Sequence, residues 1–365
     1  MNILRRISLS RLLLVCALTI ALGASATALA FALGSEPTPA PKPLAQAVHD
    51  ALAAPPVQGV SANVKLTDNL LEGANLASGN GGEAGQLSQS PLLSGASGRL
   101  WVADDGRVRL ELQAEKGDTQ MLYDGHTVDV YDAASNTLYR YTPPAQQAGA
   151  DGGSGKQADV PTVAKIEEAL AKVQRAKISG ATPTDVAGQP AYTVRVSPKE
   201  GGSLLGGAEL SWDADNGAPL RAAIYSSTSS SPVVELAATE VSFGPVESSV
   251  FDFTPPANAK VQEVKLAGAH DTQTSDSFGR SAKPTISTRG SGITAVQVLE
   301  TNVKPGEKAP TLPEGLQKVK LDEATTATEL PTALGTLLTF ERSGVRYVLA
   351  GAIKPAQIEA VARGL

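Results

Sequence analysis

The stretch GRLWVADDGRVRLEL, Gly98–Leu112, determines the fold class because hydrophobic and polar side chains alternate on both sides of a short turn. After the turn, Val108, Leu110 and Leu112 alternate with charged residues. The Asp-Gly pair at 105–106 is a turn signal typical of β-hairpins. A period of two gives a strand one apolar face and one face in water. The stretch therefore predicts an antiparallel hairpin whose apolar face packs on a core.

The same alternation recurs along most of the chain. It is found in TVDVYD at 127–132, AYTVRVS at 191–197 and AELSW at 208–212. Turn signals such as Asp124-Gly125 and Asn216-Gly217 separate these runs at short intervals. The pattern predicts a long antiparallel meander, that is, a mainly β protein of α+β type.

One predicted strand contains a shift of phase. In VVELAATEVSF at 233–243, the apolar period of two holds as far as Ala238 and resumes one position late at Val241. An extra residue in one strand of an antiparallel pair produces such a shift. We therefore predict a β-bulge or bend near Thr239.

Two amphipathic helices are predicted, at 44–54 (LAQAVHDALAA) and within 160–176 (VPTVAKIEEALAKVQRA). In both, apolar residues recur every three or four positions, so one face of each helix is apolar. The residues on these faces are Leu44, Val48 and Leu52 in the first helix and Val163, Ile166, Leu170 and Val173 in the second.

The chain of 365 residues is long enough for two domains. Arginines precede an uncharged apolar run at its start, a pattern shared by cleaved signal peptides and uncleaved membrane anchors. Both interpretations place the remainder outside the cytoplasm, either secreted or tethered to the plasma membrane. The predicted segments are 1–34 (signal peptide or anchor), 35–43 (Pro-rich spacer), 44–265 (main β domain), 266–284 (linker) and 285–365 (small α+β domain).

Composition excludes several classes of function. The net charge is −6 and no cluster of Lys and Arg is present, so a nucleic-acid partner is not expected. Cys16 is the only cysteine and lies in the apolar run. Val15 precedes it, where a lipoprotein signal requires a small residue, so lipidation is not expected. The exported part has no cysteine for disulfides.

No signature of catalysis is found in the sequence. The three histidines, His49, His126 and His270, are not at a metal-ligand spacing, and no cysteine joins them. A hydrolase triad is equally unsupported, because no serine lies in a G-x-S-x-G context. We therefore predict a protein that is not an enzyme and has no metal or cofactor.

The acidic cluster in LSWDADNGAPLRAAIY, Leu210–Tyr225, has two interpretations: a pair of catalytic carboxylates or a hairpin turn. Asp215-Asn216-Gly217 is typical turn chemistry. Strand alternation places Asp213 on the side opposite Leu210 and Trp212, so we expect Asp213 to face water. The turn interpretation is favoured.

Four phrases carry a resemblance to a known family. Besides the hairpin at 98–112 and the stretch at 210–225, they are YDGHTVDVYDAASNTLYRY at 123–141 and VFDFTPPANAKV at 250–261. Taken in their order along the chain, the four phrases resemble the LolA/LolB-like superfamily of periplasmic lipoprotein carriers, over about residues 40–265. The resemblance implies an unclosed, strongly curved antiparallel β-barrel with a helical lid, which binds acyl chains of lipids or lipoproteins in an apolar cavity.

With its smaller C-terminal domain, the chain is also similar to RseB/MucB-type regulators, which bind a membrane-bound anti-sigma factor. The expected partners are therefore lipid or acylated lipoprotein, or a membrane regulatory or transport protein, and we expect a monomer. The predicted lid is the helix pair described above. The residues predicted to line the cavity are apolar or aromatic strand residues: Trp101, Leu110, Leu112, Met121, Tyr123, Val130, Tyr139, Tyr141, Val194, Leu210, Trp212 and Ile224.

Overall fold

The described residues form two β-sheets and three short α-helices. A computed structural model of the chain describes residues 38–71, 95–114, 117–143, 160–264, 285–303 and 316–365. The apolar run within 1–34 and the predicted linker 266–284 lie outside these ranges. Strands predominate, as predicted.

The larger sheet has thirteen strands, is curved and does not close into a barrel, which confirms the predicted unclosed architecture. Its order is β13-β6-β5-β4-β3-β2-β1-β12-β11-β10-β9-β7, with β8 also paired to β9. Neighbours are antiparallel, except that β13 runs parallel to β6. The strands are β1 Gly59–Asp68, β2 Ala96–Ala103, β3 Val108–Ala114, β4 Gly117–Tyr123, β5 Val128–Asp132, β6 Thr137–Tyr141, β7 Ala176–Ile178, β8 Thr182–Val186, β9 Gln189–Pro198, β10 Leu205–Asp213, β11 Pro219–Ser226, β12 Pro232–Phe243 and β13 Lys260–Glu263.

The hairpin predicted from 98–112 is β2–β3. Leu100 pairs with Leu110 and Val102 with Val108, so the apolar residues of the two strands share one face. Gly106 in the turn has φ of +89°, a conformation that favours glycine. The prediction of an antiparallel hairpin is confirmed.

The predicted bulge is also present. Val64 of β1 pairs with Ala238 of β12, and the preceding residue, Asn63, pairs with Glu240. Thr239 is therefore the extra residue, at the position where the apolar phase shifts. Below the bulge the two strands keep the register that pairs Leu66 with Leu236.

Helix α1 is Leu44–Ala53 and helix α2 is Val163–Ala171. Thr162 caps α2 by accepting a hydrogen bond from the backbone N of Lys165. Each predicted apolar stripe extends one residue too far, because Leu52 and Val173 are each 38% exposed. Val173 lies beyond the end of α2.

Leu52 is exposed for a geometric reason. With 3.6 residues per turn, each step of four residues turns the side chain about 40° further round the helix. Two such steps carry Leu52 away from the sheet. Leu44, Ala47, Val48 and Ala51 are the residues of α1 that pack on the sheet.

The smaller sheet has six strands in the order β14-β15-β19-β18-β17-β16. Helix α3, Pro355–Arg363, follows the last strand. Val298, Leu338 and Leu349 pack with Ile358 of α3 in a core separate from that of the large sheet. The strands are β14 Thr285–Arg289, β15 Val296–Asn302, β16 Gln317–Lys320, β17 Thr326–Pro331, β18 Thr336–Arg342 and β19 Val345–Gly351.

Hydrogen bonds connect the two units at two places. The backbone N of Leu204 and the hydroxyl of Ser203 both donate to the carbonyl oxygen of Ala352, at 2.7 and 2.9 Å. The backbone N of Ala333 donates to the carbonyl oxygen of Leu70 at 3.0 Å. Loops of the large sheet thus contact loops of the small one.

Candidate ligand-binding face

One face of the large sheet is apolar across nearly its whole width, and we call it the apolar face. Register defines it: Val130 pairs with Met121, Met121 with Leu110, and Leu110 with Leu100. In the half of the sheet formed by β9–β11, Leu210 pairs with Ala222 and with Val194. Side chains of directly paired residues lie on the same face, so these residues form one surface.

The centre of the apolar face is filled by the chain's own side chains. Leu66, Leu112 and Leu236 are buried there in one cluster with Leu110 and Ala222. Leu110 and Leu112, both predicted to contact ligand, are therefore core residues in this structure. Their contact with a ligand stays a prediction.

Helix α1 covers one end of the apolar face. Ala47 packs in one cluster with Tyr192 and Trp212, whose rings are 6.2 Å apart, and Val194 and Leu210 pack against the same cluster. Because Trp212, Val194 and Leu210 adjoin this helix, access to them depends on the position of α1.

The two helices are joined to each other. Helix α2 contacts α1, and Nδ1 of His49 donates to the carbonyl oxygen of Pro161 at 3.0 Å. Ile166 of α2 is buried, whereas Val163 and Leu170 are half-buried. The pair is therefore one unit at this end of the sheet, and its role as a lid stays a prediction.

The other end of the apolar face carries a partly exposed patch. Tyr139 pairs with Val130, Tyr141 pairs with Val128, and Met121 lies beside Val130 on β4. All five side chains are half-buried. We call these five residues the β4–β6 patch. It contains four of the residues that the sequence predicted as ligand-binding.

Two further predicted residues differ in their surroundings. Tyr123 is buried, and its hydroxyl donates to the carbonyl oxygen of Gly125 at 2.9 Å, so it fixes its own turn. Ile224 pairs with Ala208 near the opposite end of the sheet and is half-buried.

Trp101 does not lie on the apolar face, so its predicted place in the cavity is wrong. It pairs with Arg109, one position out of phase with the pair Leu100–Leu110. Adjacent residues in a strand point to opposite faces, so Trp101 shares the charged face. The aromatic side chain of Trp101 suggested a place in the apolar cavity, but its position in the strand puts it on the opposite face.

Asp213 does not face water, which corrects a second prediction. Its side chain is 1% exposed, and Oδ1 accepts hydrogen bonds from the backbone N of Asp215 and of Asn216, both at 2.9 Å. Desolvation raises the pKa of the Asp213 carboxyl, although the two backbone hydrogen bonds oppose this effect. The carboxylate holds the turn, as the favoured interpretation required, but it is buried rather than exposed to water.

The opposite face of β9–β12 carries an ion-pair network that the sequence did not predict. Arg221 donates to Glu235 at 2.6 Å and to Glu209 at 2.9 Å, and Arg195 donates to Glu209 at 3.0 Å. Burial opposes the charged form of Arg221, but its bonds to Glu209 and Tyr225 raise the pKa of the guanidinium above the usual value. Cross-strand pairing could have identified these neighbours only with the register known.

The described residues offer no group suited to hold a metal ion, since none brings together three or more His, Cys, Asp or Glu side chains in such a way. His49 joins two helices and His126 lies in an exposed turn, while His270 is outside the described ranges. Among the helices that the structure describes, none has the length and apolar character needed to cross a bilayer.

A cavity of about 420 Å³ lies between β1 and β2 on the charged face, and we call it the β1–β2 cleft. It differs from the apolar cavity predicted from the sequence, because its lining is mainly polar. The lining residues are Asn63, Val64, Lys65, Ser97, Gly98, Arg99, Glu111, Gln113 and Thr239.

Comparison with known proteins finds similarity among solved structures, whereas no family model and no curated protein matches the chain. MucB in complex with MucA(peri) is 13% identical with a TM-score of 0.38, over 87% of this chain and 94% of that one. A lipoprotein-sorting protein domain from Vibrio parahaemolyticus is 12% identical with a TM-score of 0.24, over 57% and 95%. The LolA superfamily protein NE2245 from Nitrosomonas europaea is 9% identical with a TM-score of 0.20, over 87% and 97%. The matches include both groups named by the sequence resemblance, at TM-scores too low to indicate a ligand or a partner.

Proposed function

We propose that the chain is an extracytoplasmic, non-catalytic protein that binds acyl chains of lipids or lipoproteins on its apolar face. The β4–β6 patch is the observation that carries this proposal. Its side chains are apolar, adjacent and in register on three neighbouring strands, yet they remain partly exposed. Contiguous exposed apolar surface of this kind is typical of binding sites.

The composition of the patch suits an acyl chain. A methionine adapts its shape to a flexible ligand, and two tyrosines offer large apolar rings with a polar tip. Each methylene removed from water contributes roughly 0.8 kcal/mol. An acyl chain lying across three strands would therefore gain several kcal/mol without any charged contact.

The test is acyl binding by the full-length chain and by one patch variant, Val130→Asp. Native mass spectrometry of the purified wild type is expected to show copurified acyl species, and a fluorescent fatty acid is expected to bind. A carboxylate in the patch should weaken that binding at least about tenfold, because the acyl chain would then have to desolvate a charge.

Val261→Asp is the matched control, since Val261 is a strand valine that is 56% exposed on β13. This variant should bind the fatty acid as the wild type does. Equal binding by all three proteins, or no acyl species at all, would exclude the patch as the site.

A second candidate function is regulation through contact with a membrane-bound anti-sigma factor, made by the C-terminal sheet. The supporting observation is the face of that sheet opposite α3, where Ile286 is 68% exposed and Leu337 is 36% exposed. Ile286 pairs with Leu299, and Leu299 with Val348, so the apolar side chains share this face. Cross-linking in cells to a membrane protein, abolished by Ile286→Asp but not by Val130→Asp, would favour this candidate over acyl binding.

A further inference from the structure

The β1–β2 cleft lies where the register pairing between two neighbouring strands is interrupted. Among the described residues, β1 and β2 pair only through Gly59 and Ala103. Continued along both strands, that register sets Asn63 opposite Arg99 and Lys65 opposite Ser97. All four of these residues line the cleft. The cleft thus occupies the place where a regular β-ladder would otherwise run.

Two local features of the backbone lie beside this interruption of the pairing. On the β2 side, a Cβ at Gly98 would overlap the carbonyl oxygen of Glu111, so glycine allows β2 to lie unusually close to β3. On the β1 side, the bulge residue Thr239 disturbs the pairing of β1 with β12 next to Asn63. Bulges of this kind commonly bend a strand beside a functional site.

Among the described residues, the side chains of the two cations in the cleft have no protein partner. In the described part of the chain, the side chains of Lys65 and Arg99 form no hydrogen bond and no ion pair. The acidic neighbours are already occupied, since Glu111 pairs with Arg109 and Glu240 accepts a hydrogen bond from Asn63 at 2.6 Å. Two unpaired positive charges therefore face the same cleft in a protein with a net charge of −6.

We propose that the β1–β2 cleft binds a phosphate group. The guanidinium of Arg99 offers a planar fork of donors that matches phosphate oxygens, and Lys65 adds a second positive charge. Gln113 and Thr239 supply neutral polar groups at the rim. The volume accommodates a phosphate together with part of the group that carries it. The site is independent of acyl binding, because it lies on the face opposite the β4–β6 patch.

The experiment is calorimetric titration of the full-length chain with inorganic phosphate at low ionic strength. Arg99→Gln and Lys65→Gln should each weaken binding about tenfold, as expected for the loss of one charge-assisted contact. The matched controls are Arg289→Gln and Lys177→Gln, which remove exposed cations from β14 and β7. The controls should bind phosphate as the wild type does.

Two further measurements make the result decisive. Phosphate should slow hydrogen exchange in peptides covering β1 and β2 of the wild type, a readout that needs no variant. The chain is also tested with phosphatidylcholine vesicles that contain or lack phosphatidylglycerol. Binding only to the vesicles with phosphatidylglycerol, lost in Arg99→Gln, would identify a lipid headgroup as the source of the phosphate. Binding of phosphate without binding of vesicles would identify a free phosphate. No heat and no protection with phosphate, or equal weakening in the controls, would overturn the proposal.

Discussion

Asp213 shows how one residue can have a correctly predicted role in a wrongly predicted environment. The Asp-x-Asp-Asn-Gly sequence indicates a turn, and the carboxylate does hold that turn. Its burial depends on α1, since Gly217 of the same turn lies directly against the backbone carbonyl of Ala51. No local pattern around Asp213 reports a helix more than 150 residues earlier in the chain.

We predict that Asp213→Ala destabilises the large sheet by about 1–3 kcal/mol, because the backbone N–H groups of Asp215 and Asn216 lose the buried carboxylate that accepts their hydrogen bonds. Asp213→Asn should cost less, since its amide oxygen can accept the same hydrogen bonds. Urea unfolding measures both changes. Asp215→Ala, at the exposed position of the turn, is the control and should be nearly neutral; a comparable loss there would show that the turn, not the buried carboxylate, is sensitive.

At the scale of the strand, the bulge at Thr239 permits an unusual test by deletion. Removing Thr239 leaves Val64 paired with Ala238 and Asn63 with Glu240, so every side chain keeps its face. We predict that this deletion folds, with a cost of about 1 kcal/mol, measured by urea unfolding and circular dichroism.

Deletion of Ala237 is the matched comparison. Ala237 lies in the regular part of the ladder, opposite Lys65. Its loss would move every residue on one side of it by one position and turn apolar side chains to the charged face. We expect this variant not to fold. If both deletions were tolerated equally, the register of β1 with β12 would not be what holds this part of the sheet.

At this scale, features formed by residues close in sequence could be predicted, and pairings between residues distant in sequence could not. The hairpin β2–β3 and the bulge were predicted because alternation and turn residues are local signals. The parallel pairing of β13 with β6 was not, since it joins Val261 to Leu138 across the sequence. The same limit applies to the candidate site: alternation identified the β4–β6 patch, whereas the β1–β2 cleft depends on contacts between strands that the sequence does not order.

At the scale of the whole molecule, the two sheets have separate cores connected by a small number of loop contacts. Leu66 and Leu236 belong to one core, and Leu338 and Ile358 to the other. The hydrogen bonds to Ala352 and Leu70 are few by comparison. Independent cores of this kind unfold as separate cooperative units. We therefore expect two thermal transitions.

Glu329 should make only the C-terminal transition sensitive to pH. Its side chain is buried on β17, and within the described residues its Oε1 has no hydrogen-bond partner. Burial, with a smaller contribution from the charge of Glu359, raises the pKa of Glu329 above its ordinary value of 4.5. The folded domain thus favours the neutral acid. Its stability should be greatest below pH 4.5 and should decline as the pH rises through the folded-state pKa.

Glu329→Gln tests this assignment, because glutamine has the same shape and no charge to lose. Differential scanning calorimetry of the wild type should show the C-terminal transition several degrees lower at pH 8 than at pH 5, since about 1 kcal/mol moves the melting temperature of a domain this size by about 4–8 °C. The variant should show a much smaller difference, and the transition of the large sheet should be alike in both proteins. An equally large decline in Glu329→Gln would show that a group other than Glu329 causes the pH dependence.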